Sequence, residues 1–178
     1  MCDSQPIREI RRSVVEAFAV LPRPGNWALS GTSEGPEGAV VQEEFSGLED
    51  WRNADAKFLL RHIRYGSLSW LSHEAFRFFL PAFLVADLDG LLGEEGEEVA
   101  LCLVEDFASG RRDEPVNPLR FGARTWWNRG VYAFSTFQRT EASAILAYLK
   151  WRASRSSPLV RQLIGEAIDV YWEARSRE

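Results

Sequence analysis

Histidines and carboxylates are the residues most able to bind a metal in this chain, but their spacing does not form a metal site. The 178 residues contain two histidines, His62 and His73. Neither belongs to a His-x-x-x-His or Glu-x-x-His pair, the spacings that place two ligands on one face of a helix. Arg61 directly precedes His62 and would repel a cation. The sequence therefore predicts no metal site.

The run that begins at Asp87 shares some features with a calcium-binding loop. Asp87-x-Asp89-Gly90 places glycine three positions after the first aspartate. An EF-hand loop has its invariant glycine five positions after the first ligand and a further oxygen ligand between them. We therefore interpret this run, and the glutamates that follow it, as a solvated helix end.

Sequence motifs for cofactor binding and for zinc-dependent hydrolysis are also missing. The chain has no Walker loop, dinucleotide fingerprint or zinc-hydrolase motif. Its two cysteines, Cys2 and Cys102, are too few for a disulfide framework or a thiolate cluster. We expect no cofactor, and we keep an enzyme of unrecognised class as an alternative to a binding protein.

Residues 120–132 have the most distinctive composition. They include no acid, three arginines and four aromatic residues. Arginine pairs with carboxylate or phosphate, and aromatic rings bury area or stack on bases. We predict a binding site for a protein partner, with a nucleotide or nucleic acid as the second interpretation, formed by Arg120, Arg124, Trp126, Trp127 and Arg129. The alternative that we weigh above both is a packing interpretation, in which the two tryptophans fill the core and the arginines pair with acids of residues 34–55.

Charge is strongly segregated along the chain. The formal net charge is −5, yet residues 117–164 contain eight Arg or Lys and one acid. Acids cluster instead at 34–55 and 87–98. We predict that they form an acidic surface able to steer a basic target, with Glu43, Glu44, Glu94 and Glu95 as its binding residues. The overall acidity argues against nucleic acid as the partner, because phosphate contacts dominate duplex affinity.

Hydrophobic periodicity predicts an all-α fold of about six helices. The helical segments lie near residues 7–21, 55–64, 73–88, 97–108, 139–153 and 158–172, with a strand as the alternative for 97–108. Ser72 is suited to cap the third helix, which is apolar nearly all round and contains Pro81, so we expect it to be central, buried and kinked. The first, penultimate and last helices should pack around it. A long loop is predicted over 22–44, with a weak strand signal at 39–41, and an irregular basic aromatic segment over 109–136.

Length and composition favour one domain over residues 1–178. No apolar run reaches the roughly 18 residues that span a bilayer. The first residues lack the basic and apolar regions of an export signal. These features predict a cytoplasmic protein without a membrane partner.

Residues 45–150 resemble a family of uncharacterised bacterial helical proteins. The resemblance is carried by Leu71-Ser72 and then by Ala75-Phe76-Arg77-Phe78-Phe79-Leu80-Pro81-Ala82-Phe83-Leu84. A weaker match follows Phe137, where Glu141 replaces a glutamine usual in the family and precedes Ala144-Ile145 and Tyr148-Leu149. The resemblance implies a helical fold and brings no catalytic residue with it.

We therefore predict a non-catalytic protein that recognises another macromolecule. Its size and acidity are similar to those of proteins that neutralise bacterial toxins, which makes a toxin-neutralising, immunity-type role the specific form of the prediction. That similarity is one of type and not of motif. The expected partner is a protein.

Overall fold

The computed structural model describes residues 4–32 and 35–178, with the backbone alone described for Ser4, Gly35 and Arg120. Every named element is a helix, and these ranges contain no β-strand, only isolated bridges between Ser30 and Leu71 and between Pro115 and Thr125. The predicted all-α class is therefore confirmed. None of the helices in these ranges is long and apolar enough to cross a membrane.

Contacts divide the chain into two compact units. Unit 1 comprises Met1–Val99 and unit 2 comprises Ala100–Glu178, so the division falls within one helix, Gly96–Val104. By sequence count, unit 1 has nine Arg and Lys against seventeen Asp and Glu, and unit 2 has twelve against nine. The segregation of charge thus follows the two units, while the single-domain assignment remains a prediction.

Unit 1 contains four helices and the start of a fifth. They are α1 (Ser4–Ala17), α2 (Gly35–Ser46), α3 (Ala56–Arg64), α4 (His73–Leu88) and α5 (Gly96–Val104). Helix α4 has the predicted bounds. It begins after Ser72 because the Ser72 hydroxyl caps it by accepting a hydrogen bond from the Ala75 amide. Its side chains are buried on nearly all sides, and it packs against α1 and α3. Pro81 lies inside the helix, and the kink there remains a prediction.

The predicted loop over 22–44 is wrong in its second half. Helix α2 begins at Gly35 and includes the residues of the weak strand signal, and a short 3-10 helix spans Asn26–Ala28. The glycines and proline that suggested a loop lie in the first turn of α2, where proline is tolerated because its missing N–H has no helical partner. Val41 and Phe45, four residues apart, then provide the buried face.

The backbone just after the 3-10 helix Asn26–Ala28 lies close to the backbone at the start of α4. The Gly31 amide donates to the Trp70 carbonyl at 2.8 Å, and the Ser72 amide donates to the Leu29 carbonyl at 2.9 Å. A β-carbon at Gly31 would lie 2.9 Å from the Leu71 oxygen, so this position requires glycine. These two hydrogen bonds therefore tie the end of the 3-10 helix Ser67–Trp70 and the start of α4 to residues 29–31.

The helices of unit 2 that follow the 3-10 helix Glu105–Phe107 are α6 (Pro118–Phe121), α7 (Trp126–Phe134), α8 (Arg139–Ala153) and α9 (Pro158–Ala167), after which a π-helix, Ile168–Trp172, leads into α10 (Glu173–Arg175). The 3-10 helix Glu105–Phe107 packs against α7 and α9. Helix α8 has the predicted bounds. In the last predicted helix Tyr171 and Trp172 are buried, but Leu159 is exposed.

The prediction of an irregular segment over 109–136 is wrong for α7. Thr125 caps this helix, since its hydroxyl accepts from the Asn128 amide and the Asn128 side chain accepts from the Thr125 amide. A β-carbon at Gly130 would lie 2.8 Å from the Asp106 β-carbon, so the glycine allows α7 to approach Glu105–Phe107 closely. Helices α2 and α7 account for the difference between the six predicted helices and the eight of nine or more residues in the described ranges.

Candidate functional site

Trp126 and Arg129 form the centre of a basic aromatic cluster in unit 2. They lie three residues apart on the first turn of α7, so they share a face of the helix. The Arg129 guanidinium carbon is 4.6 Å from the centre of the Trp126 ring. Arg111, from the turn after Glu105–Phe107, places its own guanidinium 3.5 Å from the same ring centre. Two predicted site residues are therefore brought together, with a third residue that the prediction did not include.

A buried carboxylate anchors this cluster. Asp106 is 4% exposed, and its Oδ2 accepts from Arg129 Nε at 2.8 Å. Burial raises the pKa of Asp106, and the adjacent Arg129 opposes that rise by favouring the charged carboxylate. The other oxygen, Oδ1, is buried and has no hydrogen-bond partner within the described part of the chain. Arg129 is thus the main compensation for a buried acid as well as a surface cation.

Trp127 belongs to the packing of unit 2. Its ring meets Phe107 edge-on at 5.4 Å and Tyr171 edge-on at 6.4 Å, while Phe107 and Tyr171 stack at 4.3 Å. The π-helix carries Tyr171 into this stack, and Trp172 beside it donates from its indole to the Leu103 carbonyl at 3.0 Å. Trp127 therefore packs against core aromatic residues, but both it and Trp126 are half-buried rather than enclosed in the core as that interpretation expected.

The arginines pair with different acids from those expected in the packing interpretation. Arg129 contacts Asp106, and Arg111 Nη1 lies 2.7 Å from Glu105 Oε2. Both acids come from the 3-10 helix Glu105–Phe107, rather than from residues 34–55. The sequence contains no local signal for this pairing, because Glu105 and Asp106 lie in the segment predicted as an apolar helix.

Arg124 lies at the exposed end of the cluster, in the loop between α6 and α7. Its guanidinium is 5.9 Å from the ring centres of both Phe121 and Tyr132. Those rings are exposed, and the nearby Leu119 is fully exposed. Arg120 lies in α6, but its side chain is outside the described residues. The basic aromatic surface, as we name it, consists of Leu119, Phe121, Arg124, Trp126, Arg129 and Tyr132.

The predicted acidic residues are only partly available for a partner. Glu43 and Glu94 are exposed, but Glu44 Oε1 lies 3.2 Å from Arg61 Nη2. Glu95 Oε1 accepts from Arg64 Nε at 2.9 Å. Helix α3 thus neutralises half of the predicted acidic set. Steering of a basic target by these four residues remains a prediction. Two of the four carboxylates are paired with arginines, so the surface has less uncompensated negative charge than the sequence suggested.

A second polar cluster in unit 1 surrounds His62. Its Nδ1 lies 2.9 Å from the Ser67 hydroxyl, and its Nε2 lies 3.0 Å from Glu44 Oε2 at an angle that does not meet hydrogen-bond geometry. Burial lowers the pKa of His62 to about 4; Glu44 raises it and Arg61 lowers it further. The imidazole is therefore neutral at pH 7. The sequence prediction weighed His62 only as a metal ligand and did not include Ser67.

Glu44 and Ser67 both line one cavity of about 340 Å³ in unit 1. Arg61 contributes a third polar side chain, and Val40, Val41 and Trp70 supply apolar surface. Within residues 4–32 and 35–178, no group of three His, Cys, Asp or Glu is arranged to hold a metal ion.

Comparison with known proteins gives no relative from which to transfer a role: no family model, curated protein or solved structure matches the chain. The resemblance to bacterial helical proteins therefore remains a prediction. A role for the chain has to be inferred from the geometry of its two clusters.

Proposed function

We propose that this chain recognises another protein through the basic aromatic surface of unit 2. The observation that carries the proposal is Arg124, an exposed cation set between the exposed rings of Phe121 and Tyr132. Arginine and large aromatic residues dominate the energetics of protein interfaces, because each buries a large area and offers directional polar contacts. Exposed apolar residues grouped beside a cation are a feature of protein interaction sites, and Phe121, Tyr132 and Leu119 are all exposed here.

The chemistry of this surface indicates an acidic partner. Unit 2 has more Arg and Lys than Asp and Glu, and the 120–132 segment has no acid of its own. Arg129 is already engaged by Asp106, so Arg124 is the cation best placed to pair with a carboxylate of the partner. The exposed rings and Leu119 would bury apolar side chains next to that carboxylate. The expected epitope therefore combines an Asp or Glu with leucine or aromatic residues.

The geometry favours a protein over a single-stranded nucleic acid. Base stacking needs a ring face, and two guanidiniums already lie over Trp126 while Trp127 packs on Phe107 and Tyr171. The net charge of −5 also opposes phosphate binding at a distance. Recognition of a nucleotide or nucleic acid is the second candidate, with Phe121 and Tyr132 as its stacking rings.

The test identifies a partner and then asks whether Arg124 determines its affinity. Partners of the tagged full-length chain are isolated from a lysate of the source cells, and the recovered protein is purified. Its dissociation constant is measured by calorimetry against the wild-type chain and Arg124→Glu. We expect Arg124→Glu to weaken binding about 30-fold or more, the loss typical of an interface hot spot of about 2 kcal/mol.

Arg155→Glu is the matched control, because Arg155 is an exposed arginine of unit 2 on the turn between α8 and α9. It makes the same change in net charge outside the basic aromatic surface, so it should alter the dissociation constant less than threefold. Equal affinity of wild type and Arg124→Glu would refute the proposed surface. Tighter binding of a labelled oligonucleotide than of any recovered protein would favour the second candidate.

The toxin-neutralising form of the proposal has its own test. It predicts a toxin gene beside the gene for this chain, and it predicts that co-expression of the chain restores growth to cells making that toxin. Arg124→Glu should lose this protection while Arg155→Glu retains it. Protection that survives Arg124→Glu would assign the toxin to a different surface.

A further inference from the structure

The polar cluster around His62 has the connectivity of a nucleophile, a base and an orienting carboxylate. Ser67 lies 2.9 Å from Nδ1 of the imidazole, and Glu44 lies 3.0 Å from Nε2. The three residues come from different elements: Glu44 from α2, His62 from α3 and Ser67 from the 3-10 helix Ser67–Trp70. A hydroxyl, an imidazole and a carboxylate are the groups that recur around activated serine nucleophiles. Here the hydroxyl lies within hydrogen-bond distance of the imidazole, and the carboxylate makes an ion contact without a hydrogen bond.

Electrostatics determine which nitrogen of His62 carries the proton. A carboxylate 3.0 Å from Nε2 favours the tautomer with the proton on Nε2, because a lone pair there would face negative charge. Nδ1 is then the acceptor, and the Ser67 hydroxyl donates to it. This is the polarity that a general base requires, with the ring inverted relative to the usual serine hydrolase triad, in which Nε2 faces the serine.

The cavity provides space for a substrate next to these groups. Its volume of about 340 Å³ is at the small end of the range for ligand sites, and both Ser67 and Glu44 line it. Val40, Val41 and Trp70 give it apolar walls suited to a short acyl chain. Arg61 also lines it, and although its guanidinium contacts Glu44, it places positive charge on the wall where negative charge develops on a carbonyl oxygen during acyl transfer.

We propose that this cavity is an acyl-transfer site that hydrolyses small apolar esters. Ser67 Oγ attacks the ester carbonyl carbon while its proton passes to His62 Nδ1. The carbon–oxygen bond to the alcohol then breaks, and the departing alkoxide takes that proton. Water attacks the resulting acyl-serine and gives a proton to Nδ1, and the return of this proton to Ser67 Oγ releases the carboxylic acid. Ser67 and His62 are the catalytic residues, and Glu44 is a positioning residue.

The primary test labels the nucleophile directly. Full-length protein is treated with a fluorophosphonate, which phosphonylates activated serines, and the adduct is located by peptide mass spectrometry. Hydrolysis of p-nitrophenyl acetate is followed in parallel. We expect the adduct on Ser67, and we expect Ser67→Ala to lower kcat/KM at least 100-fold. If labelling leaves Ser67 unmodified, the cluster has only a structural role and the proposal is refuted. Because the labelling uses the wild-type protein, this result does not depend on whether Ser67→Ala folds.

Ser69→Ala is a matched control on the same 3-10 helix. Ser69 is exposed, and its hydroxyl donates to the Gly66 carbonyl, so its removal deletes an identical group outside the cavity. Wild-type turnover is expected from this variant. Turnover in Ser67→Ala equal to that of Ser69→Ala would contradict the proposal, because the activity would then come from elsewhere on the protein.

The role of Glu44 is tested through the pH profile rather than through the rate alone. The groups that set the charge of His62 are Glu44 on α2 and Arg61 on its own helix. The acid limb of kcat/KM should lie near the His62 pKa of about 4. Glu44→Gln removes the charge that favours protonation, so this limb should move to lower pH, while Glu44→Asp should restore it. An unchanged limb in Glu44→Gln would contradict a positioning role.

Discussion

His62 in unit 1 and Asp106 in unit 2 are both buried ionisable side chains beside a charged neighbour, but the two sites differ in how the free-energy cost of burying a charge is avoided or offset. His62 is 1% exposed and remains neutral, since desolvation lowers its pKa to about 4 despite Glu44. Asp106 is 4% exposed and has Arg129 at 2.8 Å, which counters the rise in pKa that burial causes. One site avoids a buried charge, and the other pairs it.

The two sites affect stability in opposite directions as pH changes. A histidine with a lowered folded pKa destabilises the protein as pH falls, because the unfolded chain binds a proton that the folded chain does not. A carboxylate with a raised folded pKa destabilises the protein as pH rises through that value. The contribution of His62 to stability is therefore greatest at neutral pH. At neutral pH the stability of the Asp106 site depends instead on Arg129, which favours the charged carboxylate.

The largest expected effect concerns His62. Between pH 6.5 and pH 4 the folded state should lose about 3 kcal/mol at this site, the loss that corresponds to a pKa of about 4 against an ordinary value of 6.5. His62→Gln removes the titrating group, so its free energy of unfolding should fall less over this range than that of the wild type. Urea denaturation at pH 7 and pH 4 measures both differences. Equal losses in the two proteins would show that His62 is not desolvated.

The next effect concerns the pairing of Asp106. Arg129→Met keeps much of the aliphatic side chain and removes the cation, so we expect the free energy of unfolding to fall by about 2 kcal/mol at pH 7. The fall is smaller than for a fully enclosed pair because Arg129 is half-exposed. At pH 4 the difference should narrow, since Asp106 can then take up a proton. Urea denaturation at both pH values measures it.

Two variants provide the controls for this pairing. Asp106→Asn combined with Arg129→Met removes the buried charge along with its partner and should recover part of the lost stability. Arg124→Met alters an exposed arginine whose described neighbours are aromatic rings, and it should change the free energy of unfolding by less than about 0.5 kcal/mol. If Arg124→Met were as damaging as Arg129→Met, the ion pair would not be the cause.

The fold was most predictable for α4 and α8, two long helices rich in apolar residues. Ser72 before α4 and the Gln138 amide that donates to Glu141 before α8 mark both helix starts, and those bounds were predicted without error. Helix α2 was missed because its first turn contains the residues that usually break helices. Helix α7 was missed because its inward face combines aromatic side chains with Gly130, so it lacks an aliphatic period.

Within the two sites, the sequence could predict only contacts between residues that are close together in the chain. Trp126 and Arg129 lie three residues apart on one helix, so their contact follows from the sequence once α7 is known. Asp106 is 23 residues from Arg129, and Glu44 is 18 from His62, and nothing local joins either pair. The contact of the Arg111 guanidinium with the Trp126 ring likewise joins residues that are far apart in the sequence. These contacts depend on tertiary packing, which a single sequence does not specify.

The smallest effect tests the close packing that brings α7 to Asp106. Gly130→Ala would place a β-carbon 2.8 Å from the Asp106 β-carbon and 2.9 Å from the Phe107 ring. Overpacking of this kind outweighs the gain in helix propensity, so we expect a net loss of about 1 kcal/mol. Gly165→Ala lies inside α9 with nothing within 4 Å of its β-carbon and should instead gain roughly 0.5 to 1 kcal/mol. The thermal midpoint should therefore fall in Gly130→Ala and rise in Gly165→Ala. A rise in both variants would contradict the close packing of Gly130 against Asp106 and Phe107.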